Sequence, residues 1–393
     1  MSRIRVAVLF GGRSGEHEVS CVSARHVAAA FDPNVYEVVP VGITREGRWL
    51  LPATSRRVLQ GGPLEIPEAA FEAVGQPVSL APREGEGAGL GVDVVFPVLH
   101  GPYGEDGTVQ GLLDMAGIPY VGSGVLGSAL GMDKEKMKRM FRDHGLPVGG
   151  FMAIRAHEWA EGPAGVASVA AAMGFPCFVK PANLGSSVGV SKCQDHEGLV
   201  AGIEEALRHD RKVMVEEATP GREIEVAVLG NDDPEASVPG EVVPGREFYD
   251  YAAKYLDGSS RILIPADLPP AVVEELRVLA VAAFHAVDAA GMARVDFFYD
   301  EGGRGVVLNE INTIPGFTEI SMFPKLWAAS GLPYPRLLDR LVELAFDRHH
   351  RRLQCARPPL DRSCIGASLG PRPEAVAASW VEDALPPAGA AGG

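Results

Sequence analysis

One segment near the end of the chain, Met292–Asn312, constrains the fold most, because it has the pattern of a β-hairpin. Apolar residues dominate both halves of the segment, and a turn rich in aspartate and glycine lies between them. The turn is centred near Gly303, so that Asp296 and Glu310 lie equally far from it on the two strands. We therefore expect these two carboxylates to face each other across the hairpin.

Alternation of side chains along each strand adds two polar neighbours to this pair. Arg294 shares a strand face with Asp296, and Asn312 shares one with Glu310. Asp296, Glu310 and Asn312 offer hard oxygen ligands, which suit a Mg²⁺ ion that also carries nucleotide phosphates. A solvated polar face is the other interpretation, and the pattern alone leaves both open. The apolar flanks favour the metal site, because buried carboxylates without a cation are costly.

Length and charge limit the function classes. The chain has 393 residues, more than one hydrophobic core usually organises, so two or three domains are expected. Its net charge of −15 argues against a general nucleic-acid binder, which needs a basic face. Apolar runs are too short for a signal peptide or a membrane span, and the five scattered cysteines lack metal-binding spacing. These features predict a soluble cytoplasmic protein with no nucleic-acid or membrane partner.

Alternating strand and helix patterns predict a parallel α/β sheet in the first third of the chain. Strands are expected at residues 3–10, 35–41 and 92–99, with a helix at 19–31. Ligands bind beyond the carboxyl ends of such strands, where the glycine-rich segments GGRSGEHEVS and HGPYGEDG fall. The stretch 61–91, rich in glycine and proline, has the composition of an irregular insertion.

The later parts of the chain have the pattern of two further units and a tail. Strands are expected at 176–180, 213–217, 223–229 and 236–243, and helices at 132–144 and 270–291. Two helices after the hairpin are expected to end near His350. The remaining residues are rich in Pro, Ala and Gly without periodicity, which predicts a flexible tail.

A second constellation, FVKPANLGSSVGVSK, has the features of a phosphate-binding loop. Lys180 ends a buried strand, and the small residues after it let backbone N–H groups approach phosphate oxygens closely. The segment matches neither the P-loop nor the dinucleotide-binding fingerprint. A glycine-rich turn without function is the alternative for this loop alone. The preceding lysine and the carboxylate hairpin favour phosphate binding.

Two more segments could face a substrate. The loop GGRSGEHEVS opens a helix and can hold an anion by its N–H groups, while Glu16 offers a carboxylate to an ammonium group. The segment FYDYAAKYLDG either packs its own loop down or forms a lid that brings Lys254 to a phosphate and Tyr255 to a substrate. His100 is compatible both with a direct role and with a buried supporting one.

These segments, in this order, resemble the D-alanine–D-alanine ligases of the ATP-grasp superfamily. The similarity runs from about Arg5 to His350 and includes HGPYGEDGTVQGLLDMAGIPYVGSG, MDK, YDYAAKY, RVDFF and NEINTIPGFTEISMFP. The resemblance implies a three-domain α/β ATP-grasp architecture, in which ATP is held between the second and third domains. The implied ranges are 1–125 for an N-terminal parallel α/β domain, 126–217 and 218–350 for central and C-terminal α+β domains, and 351–393 for the tail.

The resemblance also implies a set of nucleotide and metal contacts. The nucleotide-binding residues it implies are Lys134, Lys180, Ser187, Glu216, Glu217, Thr219, Glu223 and Lys254. Lys134 and Lys180 are expected at the α- and β-phosphates, and Lys254 at the γ-phosphate. Relatives often carry Lys or Gln where Glu217 stands, so an adenine contact there is expected through the main chain. Mg²⁺ or Mn²⁺, as two ions, is expected on Asp296, Glu310 and Asn312.

The residues implied around the two D-alanines are Glu16, Ser186, Tyr255, Arg294, Gly316 and Ser321. Glu16 resembles the residue that takes the ammonium of the first D-alanine, with Ser186 and Tyr255 as its partners. Arg294 and the Gly316 N–H resemble the oxyanion stabilisers. Ser321 resembles a binder of the second carboxylate.

The implied activity is ATP-dependent joining of two D-alanines through an acyl phosphate, for peptidoglycan precursor synthesis. The expected partners are ATP and D-alanine, and a homodimer is one expected assembly. The YDYAAKY segment resembles the dipeptide-forming members rather than the lactate-forming ones. The alternatives are a ligase with D-lactate or D-serine as acceptor, an ATP-grasp ligase for another carboxylate, and an inactive nucleotide-binding paralogue.

Overall fold

A computed structural model describes residues 2–50, 52–60, 91–185, 188–243, 261–318 and 320–355. Four predicted site residues lie outside these ranges, as do the 61–90 stretch and the tail after 355; the four are Ser186, Ser187, Lys254 and Tyr255. Within the described ranges, the strands form three sheets, and each sheet falls within one of the three predicted domain ranges. The contacts between residues make Met1–Arg351 one compact body and do not divide it into three domains, so the domain boundaries stay predictions.

The first sheet confirms the predicted parallel arrangement. Its strands, in the order β2-β1-β3, are β1 (Ile4–Gly11), β2 (Tyr36–Ile43) and β3 (Val94–Pro97), and both neighbours of β1 are parallel to it. The accompanying helices are α1 (His17–Ala30), α2 (Pro52–Leu59) and α3 (Thr108–Ala116). From Val6 onward β1 is buried, as expected for a parallel strand covered on both faces.

The second sheet is antiparallel and has the order β4-β7-β5-β6. Its strands are β4 (Phe151–Arg155), β5 (Cys177–Pro181), β6 (Ser191–Cys193) and β7 (Lys212–Glu217). The helices around it are α4 (Val125–Met132), α5 (Lys134–Asp143), α6 (Ala156–Glu161), α7 (Pro163–Ala171) and α8 (His196–Ala206). The helix predicted at 132–144 begins later, at Lys134. Asp133 caps it by accepting a hydrogen bond from the Lys136 N–H, so Met132 belongs to α4.

The third sheet follows the path β11-β10-β8-β12-β13, with β9 paired to β8. Its strands are β8 (Arg222–Gly230), β9 (Glu235–Ala236), β10 (Gly240–Val243), β11 (Arg261–Leu263), β12 (Gly291–Asp300) and β13 (Gly305–Asn312). Its helices are α9 (Pro270–Ala286), α10 (Met322–Ala329) and α11 (Tyr334–Cys355).

Three predicted bounds in this unit are wrong. The strand predicted at 236–243 is two short strands, separated at Pro239, which has no N–H for a ladder. The helix predicted at 270–291 ends at Ala286, and the backbone at Asp288 turns into the left-handed region with φ 57°. The final helix continues beyond His350 to Cys355.

The hairpin has the predicted pairing, with Asp296 opposite Glu310 and Arg294 opposite Asn312. Near the turn, however, Phe297 pairs with Leu308, and the register shifts by one residue between Phe297 and Asp296. Without that shift Glu310 would stand opposite Val295, which faces the buried side of the strand. The bulge therefore keeps Glu310 on the face of Asp296.

A buried lysine connects α5 to the second sheet. The Nζ of Lys212 lies 2.7 and 2.5 Å from the two carboxylate oxygens of Asp133 and 2.9 Å from Oε2 of Glu135. Main-chain bonds support the same junction, because the Lys134 N–H donates to Ala182 O and the Ala182 N–H donates to Lys212 O. The start of α5 is thus fixed to the ends of two strands.

Replacing Lys212 by Met should destabilise the protein by about 3–5 kcal/mol, because the buried carboxylate of Glu135 and the half-buried one of Asp133 lose their shared partner. Burial opposes the charge on Glu135, but Lys212 and Arg139 hold the pKa of Glu135 at about 2. The stability deficit should therefore shrink as the pH falls from 4.5 towards 2 and Glu135 takes up a proton. Urea unfolding at several pH values measures this. Lys136→Met, at a side chain 49% exposed, is the control. Equal losses of stability in both variants would contradict the role of Lys212 in holding the start of α5.

Candidate active site

A cleft of about 670 Å³ lies between the second and third sheets. Strands β5 and β7 and the start of α5 form one wall, and β8, β12 and β13 form the other. The predicted residues that line it are Lys134, Lys180, Glu216, Glu217, Thr219, Glu223, Arg294, Asp296 and Glu310. Residues that are far apart in the sequence, from both predicted ATP-holding domains, therefore meet in one cavity.

The first wall carries the positive charges. Lys180 on β5 and Glu216 on β7 lie diagonally across the two strands, and their Nζ and Oε2 atoms are 2.6 Å apart. Lys138, on α5, brings its Nζ to 3.3 Å from the other oxygen of Glu216. Lys134 donates from its Nζ to Leu184 O at 2.7 Å. This bond ties Lys134 to the loop that follows β5 and contains Leu184 and Gly185, which we call the glycine loop.

Burial opposes the charge on each member of this cluster. For Glu216, the neighbouring Lys138 and Lys180 outweigh burial and hold its pKa below the ordinary value. For Lys180, the carboxylates of Glu216 and Glu310 outweigh burial and raise its pKa. For Lys138, burial is the larger effect and lowers its pKa, although Glu216 opposes it. The carboxylate and Lys180 are thus held in their charged forms.

Sequence reasoning missed Lys138. It stands four residues after Lys134, and residues at that spacing share a helix face. That spacing is the signal that could have found it, because it predicts that both ammonium groups project to the same side of α5. Its side chain is only 5% exposed, which the charged composition of the helix gave no reason to expect.

The second wall carries the carboxylates and an arginine. Arg294 binds Asp296 with two hydrogen bonds of 2.7 Å, from Nε to Oδ1 and from Nη2 to Oδ2, and its Nε is 3.1 Å from Oε2 of Glu225. Burial opposes its charge, but Asp296 and Glu225 raise the pKa of Arg294 well above its ordinary value. The guanidinium is thereby fixed in both charge and orientation.

The donor set of the hairpin fits a hard divalent cation. Asp296 and Glu310 are paired across the strands, and the Asn312 side-chain amide lies 3.0 Å from Oδ2 of Asp296. Two carboxylates and an amide oxygen are donors that Mg²⁺ and Mn²⁺ accept. Among the described residues, no group of three or more His, Cys, Asp or Glu has the arrangement of a metal site, and the hairpin set has only two acids.

Glu16 lies against the glycine loop of the second unit. Its Oε2 would be 2.9 Å from a Cβ added at Gly185 and 2.9 Å from one added at Gly101, so both approaches depend on glycine. Ser14 holds the loop of Glu16, since its Oγ accepts from the Glu16 N–H and donates to His100 O. The predicted ammonium-binding carboxylate is thus next to a residue that lines the cleft.

His100 connects the first unit to the segment that follows the hairpin. The ring is buried, with Nδ1 3.2 Å from Ile314 O and 3.6 Å from Oε1 of Glu105. Burial opposes protonation, but Glu105 and Glu16 raise the pKa of His100. These contacts favour the supporting role among the two interpretations of this histidine.

Gly316 and Ser321 are brought together in the loop before α10. A Cβ at Gly316 would lie 2.8 Å from Oγ of Ser321, and the Thr318 N–H donates to that same oxygen. Ser321 is also the residue that precedes the first turn of α10. A side chain at position 316 would therefore displace the hydroxyl predicted to bind a carboxylate.

At the other end of the cleft, Glu217 is paired with Arg304 from the hairpin turn. Their Oε1 and Nη1 atoms are 2.5 Å apart, and Arg304 also reaches Oγ1 of Thr219. The Glu217 carboxylate thus has a cationic partner here, which agrees with the expectation that only its main chain meets the adenine.

A cleft between two sheets, with lysines on one wall and carboxylates on the other, defines an ATP-grasp enzyme. The models of the D-ala D-ala ligase N-terminus and the D-ala D-ala ligase C-terminus match residues 5–123 and 140–343. The chain belongs to the D-alanine–D-alanine ligase family.

Individual relatives support this assignment along nearly the whole chain. The D-alanine–D-alanine ligase of Geobacillus thermodenitrificans is 47% identical, covering 89% of this chain and 97% of that protein. The ligase of Kineococcus radiotolerans is 50% identical, covering 88% and 97%. The solved D-alanine–D-alanine ligase of Coxiella burnetii has a TM-score of 0.78 at 36% identity, covering 91% and 98%.

A relative with a different acceptor has the same fold. The solved VanG D-Ala:D-Ser ligase of Enterococcus faecalis has a TM-score of 0.74 at 35% identity, covering 88% of this chain and all of that one, 100%. In the part of the chain that the structure describes, no helix has the length and apolar character needed to cross a membrane.

Replacing Glu217 by Gln should change the KM for ATP by less than about threefold, because the main chain that is predicted to face the nucleotide is retained and an exposed ion pair contributes little. Steady-state kinetics at saturating D-alanine measure this. Glu223→Gln is the comparison, since that side chain is predicted to face the nucleoside and should raise the KM more. A large effect at Glu217 alone would show that its carboxylate contacts the nucleotide.

Proposed function

We propose that this protein joins two D-alanine molecules into D-alanyl-D-alanine, with ATP converted to ADP and phosphate, as a step in making peptidoglycan precursors. The observation that carries the proposal is the cleft in which Lys180 and its lysine neighbours face the Asp296–Glu310 pair. Relatives of 47–50% identity that bear the name D-alanine–D-alanine ligase support it.

The reaction needs activation, because a carboxylate has no adequate leaving group for attack by an amine. In the proposed first step, a carboxylate oxygen of one D-alanine attacks the γ-phosphorus of ATP, and the bond to the β-phosphate oxygen breaks. In the second step, the neutral amine of the other D-alanine attacks the acyl carbonyl, phosphate leaves, and the amine loses a proton. Charge on the transferring phosphoryl group is stabilised electrostatically, which requires fixed cations.

Lys134 and Lys180, which both line the cleft, would contact the polyphosphate. Asp296, Glu310 and Asn312 would hold Mg²⁺ or Mn²⁺, for which we propose two ions. When bound, the metal would supply positive charge to the phosphate oxygens and fix their orientation. We propose that residues from both walls of the cleft position the nucleotide, with its γ-phosphate towards Glu16 and the glycine loop.

The acyl-transfer step is assigned to residues beside the hairpin. Arg294, held by Asp296 and Glu225, offers a pre-oriented guanidinium to the developing oxyanion, together with the Gly316 N–H. Glu16 would receive the ammonium of the first D-alanine, with the predicted partners Ser186 and Tyr255. Ser321 would bind the second carboxylate. Because the acyl phosphate hydrolyses in water, exclusion of water from this end of the cleft serves the second step.

The expected cellular setting follows from the substrates. ATP is a cytoplasmic metabolite, so we place the protein in the cytoplasm. A homodimer stays one expected assembly from the family resemblance. D-serine is the second candidate acceptor, because the solved VanG D-Ala:D-Ser ligase covers 88% of this chain.

A phosphate-release assay tests the proposal. The protein is incubated with ATP and D-alanine, L-alanine, D-serine or D-lactate, with and without Mg²⁺. Release with D-alanine alone, dependent on Mg²⁺ and accompanied by D-alanyl-D-alanine, is the expected result. Mixed dipeptide formed preferentially from D-alanine and D-serine would favour the second candidate. Nucleotide binding without any release would indicate the inactive paralogue.

Replacing Arg294 by Ala should lower kcat by about 10²–10³, because one oxyanion donor is lost. The affinity for ADP should stay close to that of the parent protein, since the lysine wall is intact. Steady-state kinetics together with calorimetric titration of ADP separate the two effects. A parental kcat would remove Arg294 from the acyl-transfer step.

Replacing Glu310 by Gln should raise the Mg²⁺ concentration needed for half-maximal activity, because a neutral amide is a weaker ligand than a carboxylate. Activity measured across a Mg²⁺ series at fixed ATP gives that concentration. Glu301→Gln, at an exposed residue in the turn of the same hairpin, is the control. An unchanged Mg²⁺ dependence in Glu310→Gln would contradict the metal assignment.

A further inference from the structure

One carboxylate in the cleft is shared by two buried ammonium groups. Glu216 lies between Lys180, at 2.6 Å, and Lys138, at 3.3 Å. The three side chains are 10%, 12% and 5% exposed, respectively. Two lysine side chains therefore share the one carboxylate of Glu216.

Lys180 has two competing partners. Its position at the end of β5, directly before the glycine loop, assigns it to the phosphates. Its ammonium nevertheless contacts Glu216, and this contact is shorter than the one that Lys138 makes. Turning towards a phosphate would take that ammonium from a buried carboxylate. A buried charge that loses its partner is strongly destabilised, so the transfer needs a second cation at Glu216.

We propose that Lys138 is this second cation, a positioning residue that holds Glu216 and so allows Lys180 to contact the nucleotide phosphates. The proposal rests on the proposed function, because it presupposes a nucleotide in this cleft. It deepens that function by assigning a role to a lysine outside the motifs that define the site.

The placement of Lys138 on α5 supports this role. Lys212 ties the start of the helix to β7, the strand that carries Glu216, through Asp133 and Glu135. Lys138 therefore approaches Glu216 from a helix that is fixed to the same strand. Its ammonium stays at the carboxylate without any rearrangement when Lys180 turns away.

Titration with two ligands isolates the effect. In Lys138→Met, ADP affinity should fall by roughly tenfold or more, the size of a lost charged contact. Adenosine affinity should change by less than about twofold, because adenosine lacks the phosphates that Lys180 would contact. Lys138→Arg should restore ADP binding in part. Lys136→Met, at the exposed lysine of the same helix, should bind both ligands like the parent protein.

A second background distinguishes positioning from direct contact. In Glu216→Gln the carboxylate that competes for Lys180 is absent, so adding Lys138→Met should weaken ADP binding by less than about threefold. If Lys138→Met weakens ADP binding as much in Glu216→Gln as in the parent protein, Lys138 contacts the phosphates itself, and the proposal is overturned. Unchanged ADP affinity in Lys138→Met, or equal losses for ADP and adenosine, would also overturn it.

Two further measurements keep the result decisive. Thermal unfolding of each variant establishes that it is folded, and Lys138→Gln is interpreted in the same way if Lys138→Met does not fold. Titration of the parent protein with ADP tests the proposed function separately. Absence of ADP binding there would overturn both ideas, whereas parental binding that survives in Lys138→Met would overturn only the role of Lys138.

Discussion

Burial of charge is the constraint around which the cleft is organised. An ionised group away from water needs a partner of opposite sign, because the loss of that partner costs several kcal/mol. Lys180 is paired with Glu216 on one wall, and Arg294 is paired with Asp296 on the other. Each pair is formed within one sheet, so each wall presents fixed charges before any ligand arrives. The guanidinium of Arg294 is thus oriented before a substrate binds, whereas Lys180 is proposed to turn from Glu216 to the phosphates.

Main-chain contacts fix how the two walls face each other. The Leu308 N–H, in the hairpin, donates to Pro147 O at 2.7 Å, and Val148 forms a β-bridge with Leu308. The segment that leads from α5 into the second sheet is therefore bound to the strand that carries Glu310. The ring of His100 connects the first unit to Ile314 O, just beyond the hairpin. Direct hydrogen bonds therefore join the three parts of the proposed site, and precise positioning requires such connections.

Local patterns predicted much of the fold and of the site. Alternation and turn chemistry predicted Asp296 opposite Glu310, and this pairing is confirmed, although it is reached through a bulge that these patterns did not predict. The same arguments failed where a single residue within a predicted element interrupts it. The capping carboxylate of Asp133 starts α5 two residues later than expected, and Pro239 divides a predicted strand. The roles of Ser186 and Tyr255 stay predictions, since both lie outside the described residues.

The amino-acid sequence by itself determined the strand alternation, the glycine loops and the order of motifs that identifies the family, since these are local or linear properties. Only the tertiary structure decided which charges share a partner. The bulge before Glu310 decides which residues of the two hairpin strands lie opposite each other, and the approach of Lys138 to Glu216 depends on how α5 and β7 come together. The spacing of residues along the chain fixes neither contact. The motifs of a sequence can therefore indicate its chemistry. Which buried charges are paired is decided only by the packing of its sheets and helices.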